Sequence, residues 1–451
     1  MKRVAGMLFL VVAALPCATI TSYRHDMMLW GRKPDSARVE APTKTLVIVS
    51  AHRREIRQEY SRGFGRWMKE RYGQNVEIRW LDVGGASKML KDLESRFSIH
   101  PDKPGVDILF GGGVEPYLTS VGKGWLERVD LTPGVLEGIP PLCAGMPVYD
   151  PEHKWFGVAL SGFGILYNRR LVERLHLPVP RNWEDLGRPE FFTWISSGDP
   201  RSSGSVHACF EIILQAYGYE KGWGVLTKIC ANVRRFSESG SAAPREIAAG
   251  DVAAGMVIDQ YAQTVLRSVG PEALVFVLPE GATVINADAI GVLKGAAEPE
   301  LARQFVEYVL SQEGQRLLYQ PAGTAGQQHS LYRLPVRKAS YDEPVAPPTR
   351  PYEYGGSFHY DTEKASKRRD VLNDLIGIWL IDAHPELARA WKGVIERGMK
   401  ETEIRALFVP PVTEAELETL GLKWGDQRLR LETTKQWARA ALERYRGLRD
   451  N

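Results

Sequence analysis

The chain has 451 residues, of which 44% are hydrophobic and 25% are charged, and its formal net charge is +3. At about 150 residues per domain, this length predicts two or three domains. The composition is ordinary for a soluble globular protein, and the net charge is too small to favour nucleic acid as a partner.

The N-terminal segment has the pattern of an export signal. Lys2 and Arg3 precede an almost unbroken apolar run from Val4 to about Ile20. This run falls just short of the roughly 20 residues that span a bilayer comfortably. Cleavage and retention as a membrane anchor therefore both stay open. We assign residues 1–22 to a signal peptide or N-terminal anchor and residues 23–43 to a linker.

The cysteines do not indicate a zinc site. Cys17, Cys143, Cys209 and Cys230 show no C-x-x-C spacing. Cys209 and Cys230 belong to one predicted lobe, and an exported protein could pair them in a disulfide. Two isolated buried thiols are the alternative.

The first folded part alternates strands and helices. Leu46–Val49, Val76–Leu81 and Val106–Phe110 have the pattern of strands, and segments with helical spacing separate them. This βαβαβ rhythm predicts an α/β fold with a parallel sheet. Because ligands bind beyond the carboxyl ends of such strands, the candidate ligand-binding residues here are those that follow a strand: Ser50, His52, Gly112 and Gly113.

The second part repeats this alternation. "KWFGVALSGFGILYNRRLVERL" predicts two short strands around Ser161, and the strand Ala254–Ile258 leads to Asp259 and Tyr261. In "SGDPRSSGSVHACFEIILQAYG", small hydroxyl residues and a glycine open a helix, at Ser202, Ser203 and Gly204. Such a start is either a plain N-cap or an anion site, because free N–H groups and the helix dipole favour negative charge.

Several motifs in order resemble the solute-binding components of bacterial ABC importers, in the branch with iron(III)-, thiamine- and phosphosugar-binding members. They are "GVALSGFGILYNRRLVE", "WEDLGRPEF", "SGDPRSSGS", "GDVAAGMVIDQYA" and "LARQFVEYVLSQEGQRLL". The resemblance implies a two-lobed α/β periplasmic-binding-protein-like fold with a hinge, and a ligand between the lobes. Lobe one would be residues 44–162 and 274–340, and lobe two residues 163–273. Residues 341–451 would form a Pro-rich strap and a helical C-terminal extension, which we expect to pack on lobe one.

The resemblance also bears on the ligand. In the family, the Asp-Pro-x-Ser-Ser-Gly turn faces the cleft, which favours the anion interpretation of Ser202, Ser203 and Gly204. The iron-binding branch has a His after the first strand and two consecutive tyrosines after a late strand. His52 and Tyr261 match these positions, but Ala262 occupies the second tyrosine position. Iron(III) prefers phenolate, carboxylate and imidazole ligands, so the resemblance implies weaker iron binding here.

We therefore predict an extracytoplasmic solute-binding component of an ABC importer, located in the periplasm as a monomer. Its partners would be an inner-membrane permease and either a small anionic solute or iron(III) with a synergistic anion. It would need no cofactor. The alternative is a ligand-sensing receptor that signals to a membrane kinase or chemoreceptor. An enzyme is disfavoured because the sequence has no G-x-S-x-G, H-E-x-x-H or P-loop motif.

Overall fold

The computed structural model describes residues 43–347, 349–354 and 358–449. The predicted signal or anchor segment, residues 1–22, and all but the last residue of the predicted linker lie outside these ranges. Among the described helices, none combines the length and the hydropathy that a membrane span requires.

Lobe one begins with parallel strands separated by helices. Its first elements are β1 (Lys44–Ser50), α1 (Arg54–Tyr72), β2 (Val76–Leu81), α2 (Ala86–Ile99), β3 (Ile108–Phe110) and α3 (Glu115–Gly122). β1 pairs in parallel with both β2 and β3. Leu46, Ile48 and Val49 are fully buried, as expected for a parallel sheet that is covered on both faces. The predicted βαβαβ pattern is confirmed.

One long strand runs through both lobes. The short hairpin of β4 (Leu142–Cys143) and β5 (Met146–Pro147) precedes β6 (Phe156–Asn168), every residue of which is buried. The prediction of two strands around Ser161 was wrong, because Gly162 does not form a turn. A Cβ on Gly162 would lie 2.9 Å from the side chain of Leu278. Close packing against the strand therefore explains this glycine.

Lobe two also alternates strands and helices. Its elements are α4 (Arg169–Arg174), α5 (Trp183–Leu186), β7 (Ile195–Gly198), α6 (Gly204–Tyr217), α7 (Tyr219–Asn232), β8 (Val233–Ser237), α8 (Ala242–Ala249), β9 (Ala254–Ile258), α9 (Asp259–Val269) and β10 (Leu274–Val277). The chain then forms β11 (Ile285–Val292), α10 (Pro299–Leu310), α11 (Gln312–Arg316) and β12 (Leu334–Pro335).

The strands form a sheet with the order β2-β1-β3-β11-β6-β9-β7-β8. The first part of β6 pairs with β11 and β12, and its second part pairs with β9 and β10. Because β10 pairs with residues 165–168 of β6, we propose that the chain returns to lobe one after Val277 instead of at residue 274.

The C-terminal extension packs mainly on lobe two, whereas we expected lobe one. It also contacts lobe one, where Oγ of Ser366 lies 3.3 Å from Oγ1 of Thr119 in α3. It consists of α12 (Thr362–Ile376), a π-helical turn (Gly377–Asp382), α13 (His384–Glu396), α14 (Glu401–Phe408), α15 (Glu414–Gly421) and α16 (Gln427–Arg449). Its apolar side chains share one core with those of lobe two. The physical reason is α6, whose residues from Val206 to Leu214 are all buried. A helix that is buried on every face needs a covering element on every face, and α12 contacts α6 at His207 and Glu211.

The described cysteines are free thiols. Cys143, Cys209 and Cys230 are all buried and unpaired, so the disulfide between Cys209 and Cys230 is not formed in this structure. Burial raises the pKa of the Cys143 thiol to about 12. It also raises the pKa values of Cys209 and Cys230. Such thiols are poor nucleophiles at neutral pH.

Candidate functional site

A cavity of about 280 Å³ lies between the two lobes. Most of the residues predicted to bind ligand line it, namely His52, Gly112, Gly113, Ser161, Ser202, Ser203, Gly204 and Tyr261. They come from strand ends of both lobes, from the middle of β6 at Ser161 and from the start of α6. Strand topology therefore brings together side chains that are far apart in the sequence, as expected for an α/β sheet.

Two predicted residues lie behind the cavity wall and have structural roles. Ser50 is fully buried, and its Oγ accepts a hydrogen bond from the backbone N–H of His52 at 3.1 Å. The carboxylate of Asp259 accepts hydrogen bonds from the N–H groups of Gly162 at 3.0 Å and Gln260 at 2.6 Å. Asp259 therefore ties β6 to the start of α9. Burial raises its pKa to about 6, in spite of these hydrogen bonds.

The lobe-two wall is the start of α6. The N–H groups of Ser202 and Ser203 donate to the carbonyl of Asp199, which closes the turn after β7. Ser203 occupies the N-cap position, but its side chain makes no capping hydrogen bond within the described chain. Its Oγ instead lies 3.2 Å from Oγ of Ser205. The plain-cap interpretation of these hydroxyls is thus not what the structure shows.

A neighbouring loop completes this wall. Glu238, Ser239 and Gly240 line the cavity beside the start of α6. A Cβ on Gly240 would lie 2.7 Å from Oγ of both Ser203 and Ser205. The glycine therefore leaves room for the hydroxyl groups. The wall presents small polar groups beside a helix N-terminus, where backbone N–H groups lack helical partners.

The lobe-one wall is built around His52. Its ring packs edge-on against Phe110, with ring centroids 4.4 Å apart. Gly111, Gly112 and Gly113 all have positive φ, at 89°, 93° and 82°. A Cβ on Gly111 would come within 2.8 Å of the His52 ring. The triple glycine thus serves both the backbone turn and the close approach of the imidazole.

Asp288 and Arg333 are cavity residues that the sequence reasoning missed. Nη2 of Arg333 lies 2.7 Å from Oδ2 of Asp288, and Nε2 of His52 lies 2.8 Å from the same oxygen. The N–H of Gly113 donates to Oδ1 at 3.2 Å. Although burial alone would raise it, Arg333 and His52 hold the pKa of Asp288 well below its usual range. The sequence contained one signal for this site. Asp288 is a carboxylate inside the buried strand β11, and a buried carboxylate needs a charged or hydrogen-bonding partner.

Several buried polar atoms of the cavity residues have no hydrogen-bond partner among the described residues. They are His52 Nδ1, Glu115 Oε1, Asn286 Oδ1 and Arg333 Nε, and all four residues line the cavity. A buried polar atom without a partner costs about 1–3 kcal/mol. Such atoms are uncommon in folded proteins, and four of them at one cavity make it a candidate binding site for a polar molecule.

The two predicted metal ligands line this cavity, but the described residues around them offer few further ligands for a metal ion. His52 and Tyr261 both line it. Nε2 of His52 already contacts Asp288, and its Nδ1 has no partner in the described chain. Among the described residues, no group of three or more His, Cys, Asp or Glu side chains is placed to hold a metal ion.

Part of this chain is similar in sequence to a known protein family and to a known transport protein. Residues 122–338 match the family described as bacterial extracellular solute-binding protein. The phosphoglycerate transport regulatory protein PgtC of Salmonella typhimurium is 30% identical over 266 residues. The match covers 58% of this chain and 64% of PgtC, so it spans less than two thirds of that relative's length.

Solved structures show the same fold. The periplasmic binding protein AfuA from Actinobacillus pleuropneumoniae, with exogenous fructose-6-phosphate bound, matches with a TM-score of 0.59 at 21% identity, over 79% of this chain and 99% of AfuA. Iron-bound HitA from Pseudomonas aeruginosa matches with a TM-score of 0.58 at 19% identity, over 74% of this chain and 99% of HitA. With its two-lobed fold and the match over residues 122–338, the chain is similar to the bacterial extracellular solute-binding proteins.

Proposed function

We propose that this chain is the binding component of an ABC importer and that it holds a small organic phosphate between its lobes. The match of residues 122–338 to the solute-binding family supports the importer role, and the partner would be a permease in the inner membrane. The protein would act by binding and hinge closure, without covalent chemistry. The predicted export segment and the family support a periplasmic monomer, either processed or anchored.

The observation that carries the phosphate assignment is the start of α6. Ser203 stands at the N-cap position with its hydroxyl turned to Ser205 instead of to the helix backbone. The hydroxyls, the helix N–H groups and the helix dipole therefore converge on the cavity. A phosphate group accepts several hydrogen bonds and carries about two negative charges, which suits this arrangement.

The opposite wall suits the remainder of such a ligand. Arg333, Asn286, His52 and Glu115 offer both donors and acceptors to hydroxyl or carboxyl groups. The cavity volume of about 280 Å³ suits a molecule of a few carbon atoms. The relatives agree in chemistry, since PgtC is named for phosphoglycerate transport and AfuA was solved with fructose-6-phosphate. Both compounds are phosphate esters of short hydroxylated carbon chains.

Calorimetry with matched ligands tests this proposal. We expect 3-phosphoglycerate or fructose 6-phosphate to bind, and glycerate and fructose to bind at least tenfold more weakly, since the phosphate supplies charge-assisted hydrogen bonds. Ser203→Asp should weaken binding through like-charge repulsion. Ser95→Asp, at an exposed position of α2, is the control. Equal affinity for phosphorylated and unphosphorylated ligands would overturn the phosphate assignment.

A sensory receptor is the second candidate. PgtC is named as a transport regulatory protein, and a receptor would use the same cavity to sense its ligand. Deletion of the gene separates the two functions. Loss of phosphate-ester uptake while transporter expression stays inducible supports the importer component. Loss of induction while uptake continues from a constitutively expressed transporter supports the receptor.

A further inference from the structure

The first turn of α3 places a carboxylate on the lobe-one wall of the cavity. Glu115 is only 5% exposed, and it lines the cavity just after the triple glycine. Its Oε1 has no hydrogen-bond partner among the described residues. A Cβ on Gly113 would lie 3.1 Å from its Oε2, so the glycine leaves room for the carboxylate. The wall therefore holds an acceptor that the described part of the chain leaves without a donor.

Contacts along α3 fix the position of this carboxylate. Oγ1 of Thr119 donates to the carbonyl oxygen of Glu115 at 3.1 Å, and it lies 3.3 Å from Oγ of Ser366 in α12. Tyr360, which precedes α12, is buried near the same turn. Burial raises the pKa of Tyr360 well above its usual value, and the negative charge of Glu115 raises it further. We therefore expect the carboxylate to stay at the cavity wall.

Two other groups of this wall are also acceptors. Oδ1 of Asn286 and Nδ1 of His52 have no hydrogen-bond partner among the described residues. Nε2 of His52 lies 2.8 Å from Oδ2 of Asp288, and it donates there because an ionised carboxylate only accepts. In the neutral ring, Nδ1 is then an acceptor. Arg333 is a donor, but its positive charge is paired with Asp288. The wall thus offers a ligand more acceptors than donors.

Such a wall discriminates between the groups at the far end of a ligand. A hydroxyl group can donate to Glu115 and also accept from Arg333, whereas a carboxylate can only accept. A ligand carboxylate beside Glu115 would bring two acceptors together without a proton between them, and their like charges would repel each other. A mismatch of this kind rejects the wrong ligand and so produces specificity.

We propose that Glu115 selects phosphate esters that carry a hydroxyl group at the end remote from the phosphate, and that it rejects those that end in a carboxylate. The inference rests on the proposed function, because it names the ligand class of the same cavity. The phosphate would lie at the start of α6, and the hydroxyl end would donate to Glu115 on the opposite wall. Glu115 is therefore a specificity-determining residue.

Two ligands with the same carbon skeleton isolate this selection. Glycerol 3-phosphate and 3-phosphoglycerate differ only at the terminal carbon, which carries a hydroxyl in the first and a carboxylate in the second. We expect the unmodified protein to bind glycerol 3-phosphate more tightly by about tenfold or more, since buried polar groups without partners penalise the wrong ligand. Glu115→Gln keeps the shape and an acceptor but removes the charge and adds a donor. Its affinity for 3-phosphoglycerate should rise about tenfold, and that for glycerol 3-phosphate should fall by no more than about threefold.

The controls separate the terminal group from folding and from the phosphate site. Glu94→Gln changes a carboxylate on α2 that is 60% exposed, and it should alter neither affinity. Thermal unfolding of each variant shows whether its folded state persists, and the ratio of the two affinities is insensitive to a reduced folded fraction. Equal affinities of the unmodified protein for the two esters, or the same ratio in Glu115→Gln, would overturn the inference even if Ser203→Asp still weakens binding of both. If the unmodified protein binds neither ester more tightly than glycerol or glycerate, the proposed function itself fails.

Discussion

Arg333 and Asp288 form a buried ion pair in the cleft wall, with Nη2 of Arg333 2.7 Å from Oδ2 of Asp288 and only 2% of the arginine side chain exposed. His52 contacts the same carboxylate oxygen at 2.8 Å. Asp288 lies on β11 and Arg333 just before β12, and both strands pair with the first part of β6. The lobe-one wall thus depends on one carboxylate that holds both a guanidinium and an imidazole in place.

Asp288→Asn is expected to destabilise the protein strongly. Removing one partner from a buried ion pair leaves an unpaired charge, which costs about 3–5 kcal/mol in the free energy of unfolding. Chemical unfolding at pH 7 measures this. Asp82→Asn is the matched control, because its carboxylate is 60% exposed and pairs with Arg57 on the surface. That change should cost no more than about 1 kcal/mol.

The effect of Asp288→Asn should depend on pH in a defined direction. The pKa of Asp288 is lowered in the folded protein, so its ionised form stabilises the fold above the unfolded pKa of about 3.9. The stability difference between the two proteins should therefore be constant above about pH 5 and shrink as the pH falls below about 4. A difference that stays constant down to pH 2 would contradict the proposed role of the ionised carboxylate.

The contribution of Asp259 to the free energy of unfolding should depend on pH in the opposite direction. Its pKa is raised by burial to about 6, so its contribution to stability is fully present below about pH 4 and is lost as the pH rises to about 6. The free energy of unfolding should fall by at most about 3 kcal/mol across this window. Asp259→Asn should flatten that part of the profile, because the side chain no longer ionises. Equal slopes for both proteins between pH 4 and pH 6 would show that another group titrates there.

Gly240→Ala is expected to weaken anion binding without unfolding the protein. The added methyl group would lie 2.7 Å from the hydroxyl oxygens of Ser203 and Ser205 and must displace them. We expect the affinity for 3-phosphoglycerate to fall by about tenfold, the equivalent of roughly one charge-assisted hydrogen bond. Gly65→Ala is the control, because a Cβ there meets nothing within 4 Å. Calorimetry would refute the assignment if both variants bound equally well.

Iron(III) should bind weakly and only with an added anion. His52 and Tyr261 line the same cavity, but one nitrogen of His52 is already held by Asp288. Titration with chelated iron in the presence of citrate or phosphate should give a tyrosinate charge-transfer band, and Tyr261→Phe should abolish it. Tight binding without an added anion would favour iron as the natural ligand. A band that survives Tyr261→Phe would assign the phenolate to another tyrosine.

Local rules in the sequence determined much of the fold and of one wall of the site. An apolar run located β1, because burial on both faces of a parallel sheet leaves a continuous apolar signal. Helical spacing located α1, and alternation of apolar and polar residues located the edge strand β2. His52 and Ser203 were found because the end of a strand and the start of a helix are local features. Their positions at the cavity follow from the general rule that parallel strands present their carboxyl ends at one edge.

Only the tertiary structure decided which distant groups meet. The sequence shows that Asp288 is a carboxylate in an apolar strand, but its pairing with Arg333 depends on how β11 and β12 align on β6. It likewise shows that α6 is mostly apolar, but not that α12 covers it at His207 and Glu211. The physical reason is that hydrophobic burial is non-directional. Periodicity therefore identifies the faces that must be buried, whereas packing geometry selects the surface that buries them.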